Sequence, residues 1–199
     1  MTSSVLAHLD LTTAAGVGGS LGGAVAVLVD RLDPQRWTRL LLAEPVAFPT
    51  DAFPHQGENP MAAAARPRRQ TFASRSEMTA NYRSKEPLSQ LAPEALDAYI
   101  RWGTTIDAAG VHLACRPEIE AAIYEISAAA AGAIDAWNPL PNLSCPSTIL
   151  AGEHTFLPDV FAAQADRARA DLITVPGGHF VLHENTTRGA DLIATNALR

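Results

Sequence analysis

No stretch of this sequence approaches the ~20 consecutive apolar residues that a membrane-spanning helix needs. The alanine-rich runs MAAAA (61–65) and SAAAAGAI (127–134) are short helix formers instead. The start, MTSSVLAHLD, has neither the basic segment nor the apolar run of a secretory leader, so a cytoplasmic location is expected. Cysteine is scarce: Cys115 and Cys145 form no C-x-x-C pair and no metal-like spacing. They are expected to be buried, reduced thiols, and no metal or other cofactor is expected. Basic charge is also short, with 15 Lys and Arg against 21 Asp and Glu, a net charge of −6. That balance argues against a nucleic-acid partner.

What is present is enough for one domain, or for one domain with an inserted subdomain. The chain has 199 residues, of which 47% are hydrophobic and 18% charged. Val5, Leu6 and Leu9 are spaced for one face of a short helix. LTTAAGV (11–17) reads as a strand of small residues. Leu21, Ala24, Val25, Leu28 and Val29 then repeat at helical spacing up to about Leu32, and Asp33-Pro34 stops the helix. TRLLLAE (38–44) is the continuous apolar run of a buried parallel strand. The order is strand, glycine turn, helix, strand: a βαβ unit.

From about Pro45 to Pro141 prolines are frequent and no strand is evident. Helices are expected over 75–84, 93–103 and 117–131. The α/β pattern then resumes, with a strand at 147–153, a helix at 157–168, a strand at 170–176 and a last helix over 186–198, capped by Asn185 or Thr186. The expected class is therefore α/β: a parallel sheet of about four strands flanked by helices. Residues 1–45 and 142–199 form the core, and 46–141 form an inserted helical cap. Within the insertion, RPRRQ (66–70) is a basic cluster. It suits a solvated face, or a seat for an anionic substrate group.

The glycine-rich turn AAGVGGSLGG (14–23) admits two chemistries. As a dinucleotide fingerprint, Gly16 and Gly18 supply the first two glycines, the third place holds Leu21, and Glu44 lies where a ribose-binding acid would stand. A phosphate loop ending in Gly-Lys is excluded, because no lysine follows. As a nucleophile turn, Gly18-Gly19-Ser20-Leu21-Gly22 matches G-x-S-x-G without a gap. A serine at a sharp strand-to-helix turn projects its hydroxyl above the sheet. Gly18 and Gly22 leave room for the backbone, and the helix N-terminus favours developing negative charge. A serine nucleophile needs a histidine base, and His179 in VPGGHF follows the last strand. His154 is its rival; His8, His55, His112 and His183 have structural explanations.

GVGGSLGG (16–23), LLLAEP (40–45), CPSTILAGEHTFLP (145–158) and ITVPGGHFVLHEN (173–185) together resemble the α/β-hydrolase superfamily, in its capped, lipase- or esterase-like branch. The resemblance implies Ser20 as nucleophile, His179 as base and the Leu21 N–H as one half of an oxyanion hole. In the place where such enzymes commonly carry the triad aspartate, this chain has Thr155. Glu44 is the first candidate for the acid, with Asp159 and Glu153 as alternatives. The implied activity is cleavage of a carboxylic ester or related small acyl substrate. Measured against a complete member, Ser20 comes ~80–100 residues early. The expectation is therefore a chain lacking the N-terminal strands, weakly active, and prone to self-association through the bare sheet edge beside Ser20. A dinucleotide-binding oxidoreductase and a non-catalytic fragment are the remaining readings.

Overall fold

The computed structural model describes residues 2–49, 59–129 and 131–198, so His55 lies outside the described residues. α1 (Thr2–His8) buries Leu6, while Val5 and Leu9 are exposed, so the expected apolar face of three residues is not formed. β1 (Ala14–Gly19) leads through Ser20 into α2 (Leu21–Leu32), and β2 (Trp37–Ala43) returns parallel to β1 with Gly19 opposite Ala43. Gly16 has no space for a side chain, since a Cβ there would lie 2.6 Å from Leu40 Cδ2. α2 buries Gly23, Ala24, Ala26, Val27, Val29 and Asp30, while Val25 is exposed. The buried face is turned from the expected stripe because the turn at Ala133–Trp137 also packs on α2.

Between β2 and the next strand of the main sheet, where the insertion is expected, the described residues form α3 (Pro60–Ala65), β3 (Thr71–Phe72), α4 (Arg75–Arg83), α5 (Pro93–Trp102), β4 (Thr104–Asp107), β5 (Gly110–Leu113) and α6 (Pro117–Ala128). Asn59 and Ser74 cap α3 and α4 by accepting N–H bonds in their first turns. The helices lie where periodicity puts them, but β3, β5 and β4 form a small antiparallel sheet that the sequence did not suggest. Strands of two to four residues are too short to show alternation. The signal lay in the turn: Asp107 Oδ1 accepts from Ala109 N–H at 2.8 Å, and Gly110 adopts φ +134°. Phe72, Met78, Tyr82, Leu96, Ile100 and Val111 give the insertion its own core. In the basic cluster Arg66 and Arg69 are exposed, as on a solvated face, and all three arginines are paired. Arg68 makes a bidentate pair with Glu120 at 2.5 and 2.6 Å, Arg69 pairs with Glu77 at 2.7 Å, and Arg66 pairs with Glu125.

β6 (Ser147–Gly152), α7 (Pro158–Ala168), β7 (Asp171–Val175) and α8 (Thr186–Asn196) complete the chain. Asn185 caps α8 by accepting from Arg188 N–H at 2.9 Å. The main sheet is parallel, in the order β1-β2-β6-β7. The two inner strands read as unbroken apolar runs because both faces are covered: Leu40, Leu41, Leu42, Ile149 and Leu150 are fully buried. Ala133, Ala136 and Leu140 pack in the same cluster as Leu40 and Ile149, so the stretch just before residue 142 sits with the main core. Among the described residues β1 is an edge strand paired only with β2, and no helix is long and apolar enough to cross a membrane. Both cysteines are free. Cys145 is half-buried, and burial pushes its thiol up to about 11; Cys115 is exposed, contrary to the expectation of two buried thiols.

Asp30 ties α2 to the chain entering β6. It is buried, and its carboxylate accepts from Ser144 N–H at 2.8 Å and Ser144 Oγ at 2.5 Å. Hydrogen bonds to a charged group of this kind are each worth about 1.5–3 kcal/mol. Asp30→Ala is expected to lower the unfolding free energy by about 2 kcal/mol in urea titrations. Arg31→Ala breaks only the exposed pair with Asp135 and is expected to cost under about 1 kcal/mol. Equal effects of the two substitutions would contradict this.

Candidate active site

Because all four main strands run parallel, their carboxyl ends share one edge of the sheet, where clefts of open α/β folds form. Ser20 follows β1, Glu44 follows β2, Glu153 and His154 follow β6, and the loop carrying His179 follows β7.

Ser20 joins β1 to α2 with φ 51° and ψ −120°, a conformation that costs a side-chain-bearing residue about 1–3 kcal/mol. Backbone bonds hold it there. Ser20 N–H donates to Ala43 O at 2.9 Å, and Ser20 O accepts from Gly23 N–H at 3.1 Å and from Val46 N–H at 3.0 Å. A Cβ at Gly18 would lie 2.6 Å from Gly22 O, and one at Gly23 would lie 2.7 Å from Pro45 Cβ. At Gly22 nothing lies within 4 Å. The close approach therefore falls on Gly18 and Gly23, and the steric role expected of Gly22 is not found. The Ser20 hydroxyl is partly exposed and makes no hydrogen bond with the described residues. Leu21 begins α2, so its N–H has no carbonyl partner within the helix.

Glu44 also has left-handed backbone geometry, φ 44°, and its N–H donates to Leu150 O at 2.9 Å. That turn sends its carboxylate inward, where the side chain is only 1% exposed. Oε1 accepts from Gly152 N–H at 2.9 Å, and Oε2 lies 2.8 Å from His179 Nδ1. In the neutral imidazole this contact puts the proton on Nδ1 and leaves Nε2 as the bare acceptor. The ring is 31% exposed and tilts against Phe180, with centroids 5.3 Å apart. With its side chain only 1% exposed and turned to Gly152 and His179, Glu44 is not presented to a ribose, and Leu21 fills the place of the third glycine. The dinucleotide reading has no acid here.

The other expected residues stand apart. Asp159 is exposed in the first turn of α7, Glu153 is exposed after β6, and neither bonds to His179 among the described contacts. Thr155 Oγ1 accepts from Leu157 N–H at 3.3 Å, which closes a local turn. His154 is exposed, its N–H donating to Gly177 O, and His112 lies in the small sheet between Thr71 and Asp107. The residue that sequence reasoning missed is Gly152. Besides holding Glu44, it lets the His179 loop approach, for a Cβ there would lie 2.4 Å from Gly178 O. Its only signal was a glycine ending an apolar strand.

These contacts separate two glycines that look alike in the sequence. Gly18→Ala is expected to unfold the turn or lower the melting temperature by many degrees. Gly22→Ala, on an open helical position, is expected to leave stability unchanged or raise it by about 0.5–1 kcal/mol. Thermal unfolding of the two variants checks this, and a tolerated Gly18→Ala would contradict it.

Among solved structures, an E-2-(acetamidomethylene)succinate hydrolase superposes with a TM-score of 0.76 at 17% identity, covering 100% of this chain and 71% of that one. The thioesterase domain from the curacin biosynthetic pathway gives 0.67 at 18% identity, covering 100% and 72%. Est816, an N-acyl homoserine lactone degrading enzyme, gives 0.61 at 19% identity, covering 98% and 71%. At these identities the likeness is one of fold. No curated protein matches the chain. The model of the Alpha/beta hydrolase family matches residues 2–192, and the chain belongs to that family.

Proposed function

We propose that this hydrolase uses Ser20 as a nucleophile on a carboxylic ester or related acyl compound, with His179 as base and Glu44 as the acid that orients it. The observation that carries the reading is the 2.8 Å contact between buried Glu44 and His179 Nδ1, on the same sheet edge as the left-handed turn at Ser20. Ser20 Oγ attacks the carbonyl carbon while its proton passes to His179 Nε2. The oxyanion that forms accepts from the Leu21 N–H. Collapse breaks the bond to the leaving group, which takes the proton from Nε2. Water, deprotonated by the same nitrogen, then releases the acid and frees Ser20. The absence of a Ser20–His179 hydrogen bond is compatible with this, since such bonds often tighten only once substrate is bound.

The similar structures support an acyl centre in general terms: one is named a hydrolase, one a thioesterase, one a lactone-degrading enzyme. They differ in the bond concerned, so the proposal stops at the acyl class. The two free thiols suit the proposed cytoplasmic location. The unpaired flank of β1, with Val17 exposed on it, further suggests association between copies of this chain.

A fluorophosphonate probe should modify Ser20, and Ser20→Ala should abolish the labelling. Glu44→Gln, which presents an amide N–H to Nδ1, should slow turnover of an acyl substrate by about 10³–10⁴. Labelling that survives Ser20→Ala would end the assignment, and an unlabelled wild-type chain would favour a non-catalytic module. Sedimentation velocity is expected to show dimers or larger species; a monodisperse monomer at all concentrations would contradict the edge proposal.

A further inference from the structure

The loop after β7 brings His179 to Glu44 without any regular secondary structure of its own, so something must fix its course. Glu184, five residues beyond His179, folds back beneath it. Its Oε2 accepts from Gly178 N–H at 2.8 Å, and its Oε1 accepts from Phe180 N–H at 3.0 Å. One carboxylate thus holds the amides on both sides of the histidine. The backbone closes the same loop in the other direction, with His183 N–H and Glu184 N–H donating to Phe180 O at 2.7 and 2.9 Å. The wrapping is tight. Gly177 takes φ +130°, and a Cβ there would lie 2.5 Å from Glu184 Oε2.

From this arrangement we infer that Glu184 is a positioning residue that aims the His179 imidazole by holding the N–H groups of the residues before and after it. The inference rests on the proposed role of His179 and adds a residue to it. A carboxylate is the group suited to the task, because it offers two acceptor oxygens in one plane and makes charge-assisted bonds to N–H donors. The His179 side chain leaves a backbone pinned on either side, so its ring is delivered to Glu44 at one angle. Loss of the strut frees two peptide groups and lets the ring swing. Displacement of a reacting group by about 1 Å can cost 10²-fold in rate.

The test uses Glu184→Gln, which keeps the shape but has one acceptor oxygen, and Glu184→Asp, which keeps the charge but withdraws the carboxylate by about 1.5 Å. Circular dichroism establishes that each variant is folded. The first readout needs no activity: the hydrogen-bonded Nδ1 proton of His179, followed by NMR. It is expected in the wild type and expected to broaden or vanish in both variants. The second is inactivation by the fluorophosphonate probe, where the limiting rate is expected to fall about 10–100-fold while the half-saturating probe concentration stays unchanged. Glu184→Asp should not rescue either readout, because charge without the reach to both N–H groups is not enough. A wild-type Nδ1 signal in folded Glu184→Gln, or a wild-type labelling rate there, would overturn the inference, as would full rescue by Glu184→Asp. If the wild type takes no label, the nucleophile reading of Ser20 fails, and the Nδ1 resonance alone decides the role of Glu184.

Discussion

A carboxylate withdrawn from water at the end of the second strand is the constraint around which the rest of the sheet edge is arranged. Burying an isolated carboxylate carries an effective penalty of several kcal/mol, so Glu44 must find strong partners. It finds Gly152 N–H on one oxygen and His179 on the other. To reach them its backbone turns left-handed immediately after β2. The sheet order is what makes both partners available: β6 lies beside β2, and β7, whose following loop carries His179, lies beside β6. Three strand ends are thereby tied to one side chain. The fourth, β1, is tied in through the backbone, where Ser20 bonds to Ala43 and Val46 on either side of Glu44.

The insertion bears on this edge from outside. Phe180, next to His179, packs against the cluster formed by Phe72, Tyr82, Leu91 and Leu96, so the histidine loop is gripped by both cores. Ala92 N–H donates to His183 O at 2.9 Å, and Thr186 bonds to Glu94, which fixes the start of α5 to the same loop and to the head of α8. The pairing of Arg68 with Glu120 and of Arg69 with Glu77 spends most of the cluster's charge within the insertion. Those arginines therefore read first as struts between its elements.

Much of the frame was legible because its physics is local. Inner strands covered on both faces give continuous apolar runs, hence 38–44 and 147–153, and the serine turn announces itself by its run of glycines, of which Gly18 and Gly23 are the ones the close approach requires. The antiparallel strands of the insertion were not legible, since two to four residues carry no period. The buried face of α2 was misjudged because the turn at Ala133–Trp137, over 100 residues away in sequence, claims part of it. Gly22 and Gly23 are indistinguishable as letters; the approach of Pro45 and of Gly18 O to Gly23 separates them. Glu44 and Glu153 each follow a strand end and Asp159 lies in the first turn of α7, all on the side of the sheet where the cleft is expected, so spacing could not choose among them. The choice depends on which strand stands between β1 and β6, and on the left-handed turn that sends one carboxylate inward and leaves the others in solvent.

The central claim is that Ser20, the Leu21 amide and the Glu44–His179 pair form one reacting centre. It is tested most directly by the structure of the chain after reaction with a small fluorophosphonate. The account predicts a covalent bond from phosphorus to Ser20 Oγ, with the phosphoryl oxygen at about 2.7–3.1 Å from Leu21 N and His179 still joined to Glu44 through Nδ1. An adduct on another residue, or a phosphoryl oxygen turned away from the Leu21 amide with His179 detached from Glu44, would contradict it.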